Sequence, residues 1–306
     1  MNNLLPAYAT WQRFNPHLFL NYVLIHASLL IAPFTFSWLG LSAFLIIYFT
    51  TICLGITLGY HRLLTHCSYK TYPWVRFILA LCGVLACQRG PIWWTAAHRM
   101  HHSKVDKPMD PHTPTVSFIW SHALWAFFRH PQLDDSIETV HRLARDLREE
   151  PGMRFLEKYY GLINAVFMAG LFSLGYALGG FKLGLSLFVW GGIFRVLVTL
   201  HITWMVNSVC HLWGYRNYKT ADTSRNNWIA ALLTFGEGWH NNHHADQRAA
   251  RNGHRWYEID VTYYLILLMR QTKLAYNVMP VSNRLLNAEY LEIRPTSVLS
   301  YQTQLR

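Results

Sequence analysis

LSAFLIIYFTTICLGITLGYHRLLTH, residues 41–66, decides the architecture. Residues 41–60 carry no charge and are long enough for a membrane-spanning helix, which needs about 20 mostly apolar residues. His61 and His66 follow where the apolar run stops. A span that runs straight into imidazoles places metal-type chemistry at a membrane surface.

Three further stretches reach spanning length: about 18–38, 161–181 and 183–206. The third of these four in chain order has no charge, and the last contains Arg195 and His201. Phe77 to Gln88, Trp228 to Gly236 and Val261 to Met269 are too short to cross and read as interfacial or cap helices. The count matters for chemistry. Two spans before His61 and two more ahead of His211 put every histidine cluster on one side of the bilayer. The expected fold is an all-α integral membrane protein, a single domain over 1–306. Four transmembrane helices carry a helical cap built from 61–160 and 207–306.

Residues 61–160 hold 13 Lys and Arg and 207–306 hold 11, while the opposite side offers little beyond Lys182. By the positive-inside rule, the cap and both termini are expected in the cytosol. Composition agrees with a multi-pass protein: 52% hydrophobic, 15% aromatic and only 14% charged, where soluble domains carry about 25% charged residues. The net charge of +11 is scattered rather than blocked, which favours a membrane over nucleic acid. Cys53, Cys67, Cys82, Cys87 and Cys210 are odd in number and form no CxxC, so neither a disulfide framework nor a thiolate zinc site is expected. The first 16 residues do not resemble a cleaved signal peptide.

Four histidine motifs lie between residues 61 and 244: HRLLTH (His61, His66), HRMHH (His98, His101, His102), NSVCH (Asn207, His211) and HNNHH (His240, His243, His244). Spacings of i, i+3 and i+4 put three imidazoles on one helical face. His61 and His66 would be offset by about 140° on a regular α-helix, so they share a metal only with help from local geometry. Imidazole suits iron, zinc and copper. Nine are too many for one centre and sufficient for two. His17, His26, His112, His122, His130, His141 and His254 stand alone and read as surface or core residues. His201 reads as a neighbour of the site rather than a ligand. Arg195, a charge within a span, reads as functional or structural, either snorkelling or bracing the cap through a carboxylate.

These motifs resemble the histidine boxes of the membrane fatty-acid desaturases, and NSVCH resembles the extra Asn/His motif of the acyl-CoA Δ9 (stearoyl-CoA) desaturase branch. The flanks GITLGYH (55–61), DPH (110–112), TWMVN (203–207) and GEGWH (236–240) match as well. The resemblance implies an oxidoreductase with two iron ions bound by His61, His66, His98, His101, His102, His211, His240, His243 and His244. It implies that Asn207 acts through a water, and that Gln88, Trp94 and Thr203 line the bend of a substrate tunnel. Arg129 would meet the phosphates of an acyl carrier. The reaction would use O2 to place a cis double bond, at Δ9, in a saturated chain carried as acyl-CoA or acyl-lipid. The chain contains no fused cytochrome b5, flavin, nicotinamide or iron–sulfur motif. A separate ferredoxin or cytochrome b5-like electron donor is therefore implied, with membrane lipid as the other partner. Rival readings are a di-iron hydroxylase and a non-catalytic metal binder or transporter. Transporters place ligands at the bilayer midplane, whereas these clusters lie beyond the span ends.

Overall fold

The computed structural model describes residues 4–290 and is mostly helical. The part of the expected cap beyond residue 290, and both chain ends, lie outside the described residues. Among the described residues, three helices are long and apolar enough to cross a membrane: Pro16–Thr35, Trp38–Thr65 and Tyr160–Leu212.

The first begins as α1 (Pro16–His26). Pro16 presets the helical φ, and the Asn15 side chain accepts the Leu18 N–H at 3.1 Å. The second, α2 (Trp38–Thr65), opens on a Ser37 side chain that accepts the Gly40 N–H at 2.9 Å. From Phe49 to Thr65 its hydrogen bonding widens to i→i+5, and the His66 N–H closes the series on the His61 carbonyl at 3.0 Å. This widening is the local help that the first motif required. It overrides the 140° offset of a regular helix, and the His61 and His66 rings lie 4.6 Å apart.

α3 (Pro73–Val84) packs on α2. Its 12 residues rise about 18 Å, too short for a hydrocarbon core of about 30 Å. The two helices meet at Gly55, where an added methyl group would sit 2.5 Å from the Cys82 carbonyl. α4 (Pro91–Lys104) carries HRMHH, and α5 (Phe118–His122) and α6 (Pro151–Lys158) follow.

The third long stretch, α7 (Tyr160–Leu212), is broken at Gly179 and Gly180, the latter with φ 75°. Gly180 takes a backbone conformation that side-chain-bearing residues rarely adopt. Beyond it the chain turns back. Gly175 faces the Leu183 carbonyl, and a methyl on Gly192 would meet the Met168 sulfur at 2.7 Å. The two arms therefore pack antiparallel, at the place where two separate spans were expected.

Arg195 is fully buried in the returning arm. Both alternatives read from the sequence are corrected here: the buried side chain does not snorkel, and its hydrogen bonds among the described residues go to carbonyls rather than a carboxylate. Its Nη1 donates to the Leu85 carbonyl at 2.7 Å and its Nε to the Gly191 carbonyl at 3.2 Å. One partner is a carbonyl of the arm itself, and the other is at the end of α3, which stops against this arm and brings Leu85 within reach.

The remaining elements close over the ends of α2 and α7. α8 (His240–Ala245) carries HNNHH, and α9 (Val261–Gln271) starts at Asp260, whose side chain accepts the Tyr263 N–H. A two-stranded antiparallel ladder, β1 (Lys70–Thr71) with β2 (Ala275–Tyr276), pairs Thr71 with Ala275. It ties the segment after the first motif to the segment that follows α9. The five cysteines are free; Cys53 and Cys210 are buried, Cys82 and Cys87 partly buried, and Cys67 exposed.

Candidate metal centre

HRLLTH leaves α2, HRMHH lies on α4, His211 ends α7, and HNNHH forms α8. Their nine imidazoles converge in two groups. His61, His66, His98, His102 and His243 form one; His101, His211, His240 and His244 form the other. Within each group every residue offers a nitrogen within 4.8 Å of the others. The α4 triplet is therefore shared, with His98 and His102 in one group and His101 in the other.

The protons show what these nitrogens are for. His61 Nδ1 lies 2.8 Å from Glu237, His101 Nδ1 2.9 Å from Asp110 and His244 Nδ1 3.1 Å from Asp222. His211 Nδ1 lies 3.1 Å from the Thr223 hydroxyl and 3.6 Å from Asp106. A carboxylate only accepts, so each Nδ1 facing one carries the proton, and the Nε2 of that ring is a lone pair. Yet the Nε2 atoms crowd together: His61 to His243 at 3.2 Å, His243 to His102 at 3.1 Å, His102 to His98 at 3.0 Å and His211 to His240 at 3.1 Å. His66 Nε2 and His244 Nε2 are buried without a hydrogen-bond partner among the described residues. Converging, orphaned lone pairs fit a cation at the centre of each group, and an all-imidazole set suits a first-row transition metal.

Burial supports the same state. It holds His98, His101, His102, His240 and His243 well below the ordinary histidine range, and neighbouring imidazoles lower them further. Neutral imidazoles are the form that binds metal. Burial alone would raise Glu237. Arg62 and His61 outweigh it and hold Glu237 at about 2.

The non-histidine residues of the motifs brace the site. Arg62 donates to Glu237 at 3.0 Å, to Asp260 at 3.0 Å and to the Ala250 carbonyl at 2.7 Å. Arg99 grips Asp146 with two donors and reaches the Leu64 carbonyl at 2.8 Å, linking the first two motifs. Asn241 accepts the N–H groups of Asn217 and Tyr218, both at 2.8 Å. Asn242 donates to Glu258 at 2.7 Å. The two asparagines of HNNHH thus anchor α8 on the side away from the metal groups.

A cavity of about 350 Å³ reaches the site. Its walls include Gln88, Trp94, His98, Thr203 and Asn207. Gln88 donates to the Thr203 hydroxyl at 2.8 Å, and Trp94 stacks on His98 with centroids 5.0 Å apart. The three residues expected at a tunnel bend, and Asn207, therefore share one space with a histidine of the site. Arg129 stands elsewhere, half-exposed and paired with Asp135 at 2.6 Å.

Sequence reasoning passed over Asp106 and Thr223, which bond each other beside His211, and Asp222, which bonds His244, because no spacing signal marks these contacts. Glu237 and Asp110 stood within the GEGWH and DPH flanks, and only their motif membership pointed to them. His112, read as isolated, packs on His101 with ring centroids 4.4 Å apart. His26, His122 and His201 also join, in a hydrogen-bonded chain apart from the metal groups.

Two converging groups of histidines, one reaching a cavity through His98, in a helical protein with long apolar spans, define a membrane protein built to hold metal. The family model described as fatty acid desaturase matches residues 35–266, and the chain belongs to that family. It is 44% identical over 246 residues to the sn-1 stearoyl-lipid 9-desaturase of Anabaena variabilis, covering 80% of this chain and 86% of the relative. It is 41% identical to the sn-2 palmitoyl-lipid 9-desaturase of Nostoc sp. (strain 36), covering 83% and 86%. It is 39% identical to the acyl-CoA C20 Delta5-desaturase of Anemone leveillei, covering 83% and 78%. The protein is an oxidoreductase, a fatty-acyl desaturase.

Proposed function

We propose that this desaturase uses O2 to place a cis double bond at Δ9 of a saturated acyl chain carried on a membrane lipid. The observation that carries the reading is the convergence of nine imidazoles in two groups, with His98 of the first group at the wall of the cavity. Similarity to relatives named as stearoyl- and palmitoyl-lipid 9-desaturases supports the position and the carrier.

The ligands proposed are His61, His66, His98, His102 and His243 for one iron, and His101, His211, His240 and His244 for the other. Asn207 acts beside the second group through a water. Two irons, with O2 and electrons from outside, supply the oxidant that an unactivated C–H bond requires and that no side chain provides. The balance is acyl chain, O2, two electrons and two protons to enoyl chain and two waters.

The chain's own residues do the rest. Glu237, Asp110 and Asp222 hold the Nδ1 protons and so aim the Nε2 lone pairs. Trp94 and the Gln88–Thr203 pair fix the wall next to His98. A substrate held against that wall presents one C–C bond to the site, which sets the position of the double bond.

The turn at Gly179–Gly180 supports four spans, with α7 supplying two. On that count the helical part from 61–160 and 207 onward is one cytosolic cap, the whole chain is one domain, and both ends lie on the cytosolic side. The excess of Lys and Arg in the cap segments favours this orientation. It also favours an acidic, separate ferredoxin or cytochrome b5-like donor. Arg129, on the exposed rim, is proposed to meet an anionic part of the acyl carrier.

Metal analysis of iron-reconstituted protein tests the site. Two irons per chain are expected, with His240→Ala lowering iron content. A wild-type chain that holds a single metal at saturation contradicts the proposal.

A further inference from the structure

We infer that the acyl chain reaches the cavity sideways out of the bilayer, through an opening at Asn21 between α1 and the returning arm of α7. This rests on the reading of the substrate as a membrane lipid and names the route it takes.

Leu18, Asn21, Tyr22 and Ile25 line the cavity from α1. Their i, i+3, i+4, i+7 spacing is one face of the helix. Asn21 is at the same time exposed on the outer surface, so interior and surface meet there. That surface belongs to a candidate membrane span, and its neighbours Leu20, Val23 and Leu24 are exposed apolar residues. An amide on a lipid-facing helix is costly unless something polar meets it. The Asn21 side chain has no hydrogen-bond partner among the described residues. Phe19, Tyr22, Phe127 and Trp204 cluster around this level, with Phe19 and Phe127 centroids 5.5 Å apart. Tyr and Trp, here Tyr22 and Trp204, collect at the membrane–water interface, the depth of a lipid's ester groups.

The rest of α1 is fixed on either side of the opening. Above it, the Asn15 N–H donates to the Phe127 carbonyl at 2.7 Å. Below it, His26 and His201 meet Nε2 to Nε2 at 3.0 Å, His201 Nδ1 meets His122 Nε2 at 3.0 Å, and His122 Nδ1 meets the Ser208 hydroxyl at 2.9 Å. His26 Nδ1 donates to the Tyr22 carbonyl at 2.7 Å, so every ring nitrogen of the chain is engaged. The three histidines form a tie between α1, α5 and α7, and they hold the width of the opening. A lipid ester beside Asn21 would pass its acyl chain inward along Leu200 and Thr203 toward Asn207 and His98, all of which line the same cavity.

The test uses Asn21→Cys, purified, iron-loaded and reconstituted in phosphatidylcholine vesicles. The probe is a glycerolipid with a photoreactive group on its stearoyl chain. Label is expected on residues 18–25 and 200–204. Benzyl methanethiosulfonate, added after folding, is expected to cut both labelling and lipid turnover at least tenfold relative to untreated Asn21→Cys. Wild-type protein given the same reagent controls for the native thiols, including exposed Cys67. Labelling and turnover that survive the reagent overturn the proposal, as does label confined to the opposite wall near Arg89 and Asp134. Failure of the desaturase reading looks different: wild-type protein would load iron, take label at Asn21 and leave every stearoyl chain saturated.

Discussion

Glu237 shows how much a single residue is asked to do. One of its oxygens faces His61 and the other Arg62, so it orients a proposed ligand and neutralises a buried cation together. Glu237→Gln keeps the shape and removes the charge. Loss of such a partner typically weakens metal binding about 10–100-fold. Competition with a chelator of known affinity is expected to show a drop of that size, and unchanged affinity would remove Glu237 from the account. Acidity offers a second check. In the metal-free folded chain, burial keeps His98, His101, His102, His240 and His243 below their ordinary value of about 6.5. The unfolded chain takes up those protons near 6.5 and the folded chain does not. Stability is therefore complete above that pH and falls below it. The metal-free protein should melt at a lower temperature at pH 5.5 than at pH 7.5; an equal or higher Tm at 5.5 contradicts the neutral cluster. At this scale the histidines were legible because they came in short-range sets. Asp106 and Asp222 were not, because their link to the site runs through folded proximity alone.

At the scale of elements, α2 carries the design. Its widened turns bring His61 and His66 together, which a regular helical projection does not anticipate. No sequence spacing announces i→i+5 bonding, whereas the apolar length of the same helix is plain. Gly55 lets α3 approach closely. Gly55→Ala would force backbone atoms apart, and overpacking of this kind costs about 1–3 kcal/mol. Arg62 sits between Glu237 and Asp260 at the end of α2. Arg62→Leu would leave two buried carboxylates without their cation, a loss of roughly 3–5 kcal/mol. Thermal unfolding in detergent should rank Arg62→Leu below Gly55→Ala, and both below wild type. A wild-type Tm for Arg62→Leu would mean the cluster is not built as described.

For the molecule as a whole, apolar length announced a membrane protein and clustered histidines a metal site. The fold-back of α7 was visible only as two adjacent apolar runs, because a Gly-Gly pair in an uncharged stretch marks a possible turn and does not fix one. The cavity joining Gln88, Trp94 and Thr203 could not be read from spacing, since these residues come from three separate segments. The proposed basic cap bears on the electron donor. If the donor is acidic, turnover at limiting donor concentration should fall as ionic strength rises from about 0.01 to 0.15 M, where the screening length shrinks from about 30 to 8 Å. Salt-independent turnover would reject that docking mode.

The central claim is the chemistry itself. The direct measurement is mass-spectrometric location of the double bond after iron-loaded protein, O2 and a reducing system act on a stearoyl glycerolipid in vesicles. The account predicts a cis alkene at Δ9. A hydroxylated chain without an alkene, or an unaltered chain with both metals bound, would contradict it.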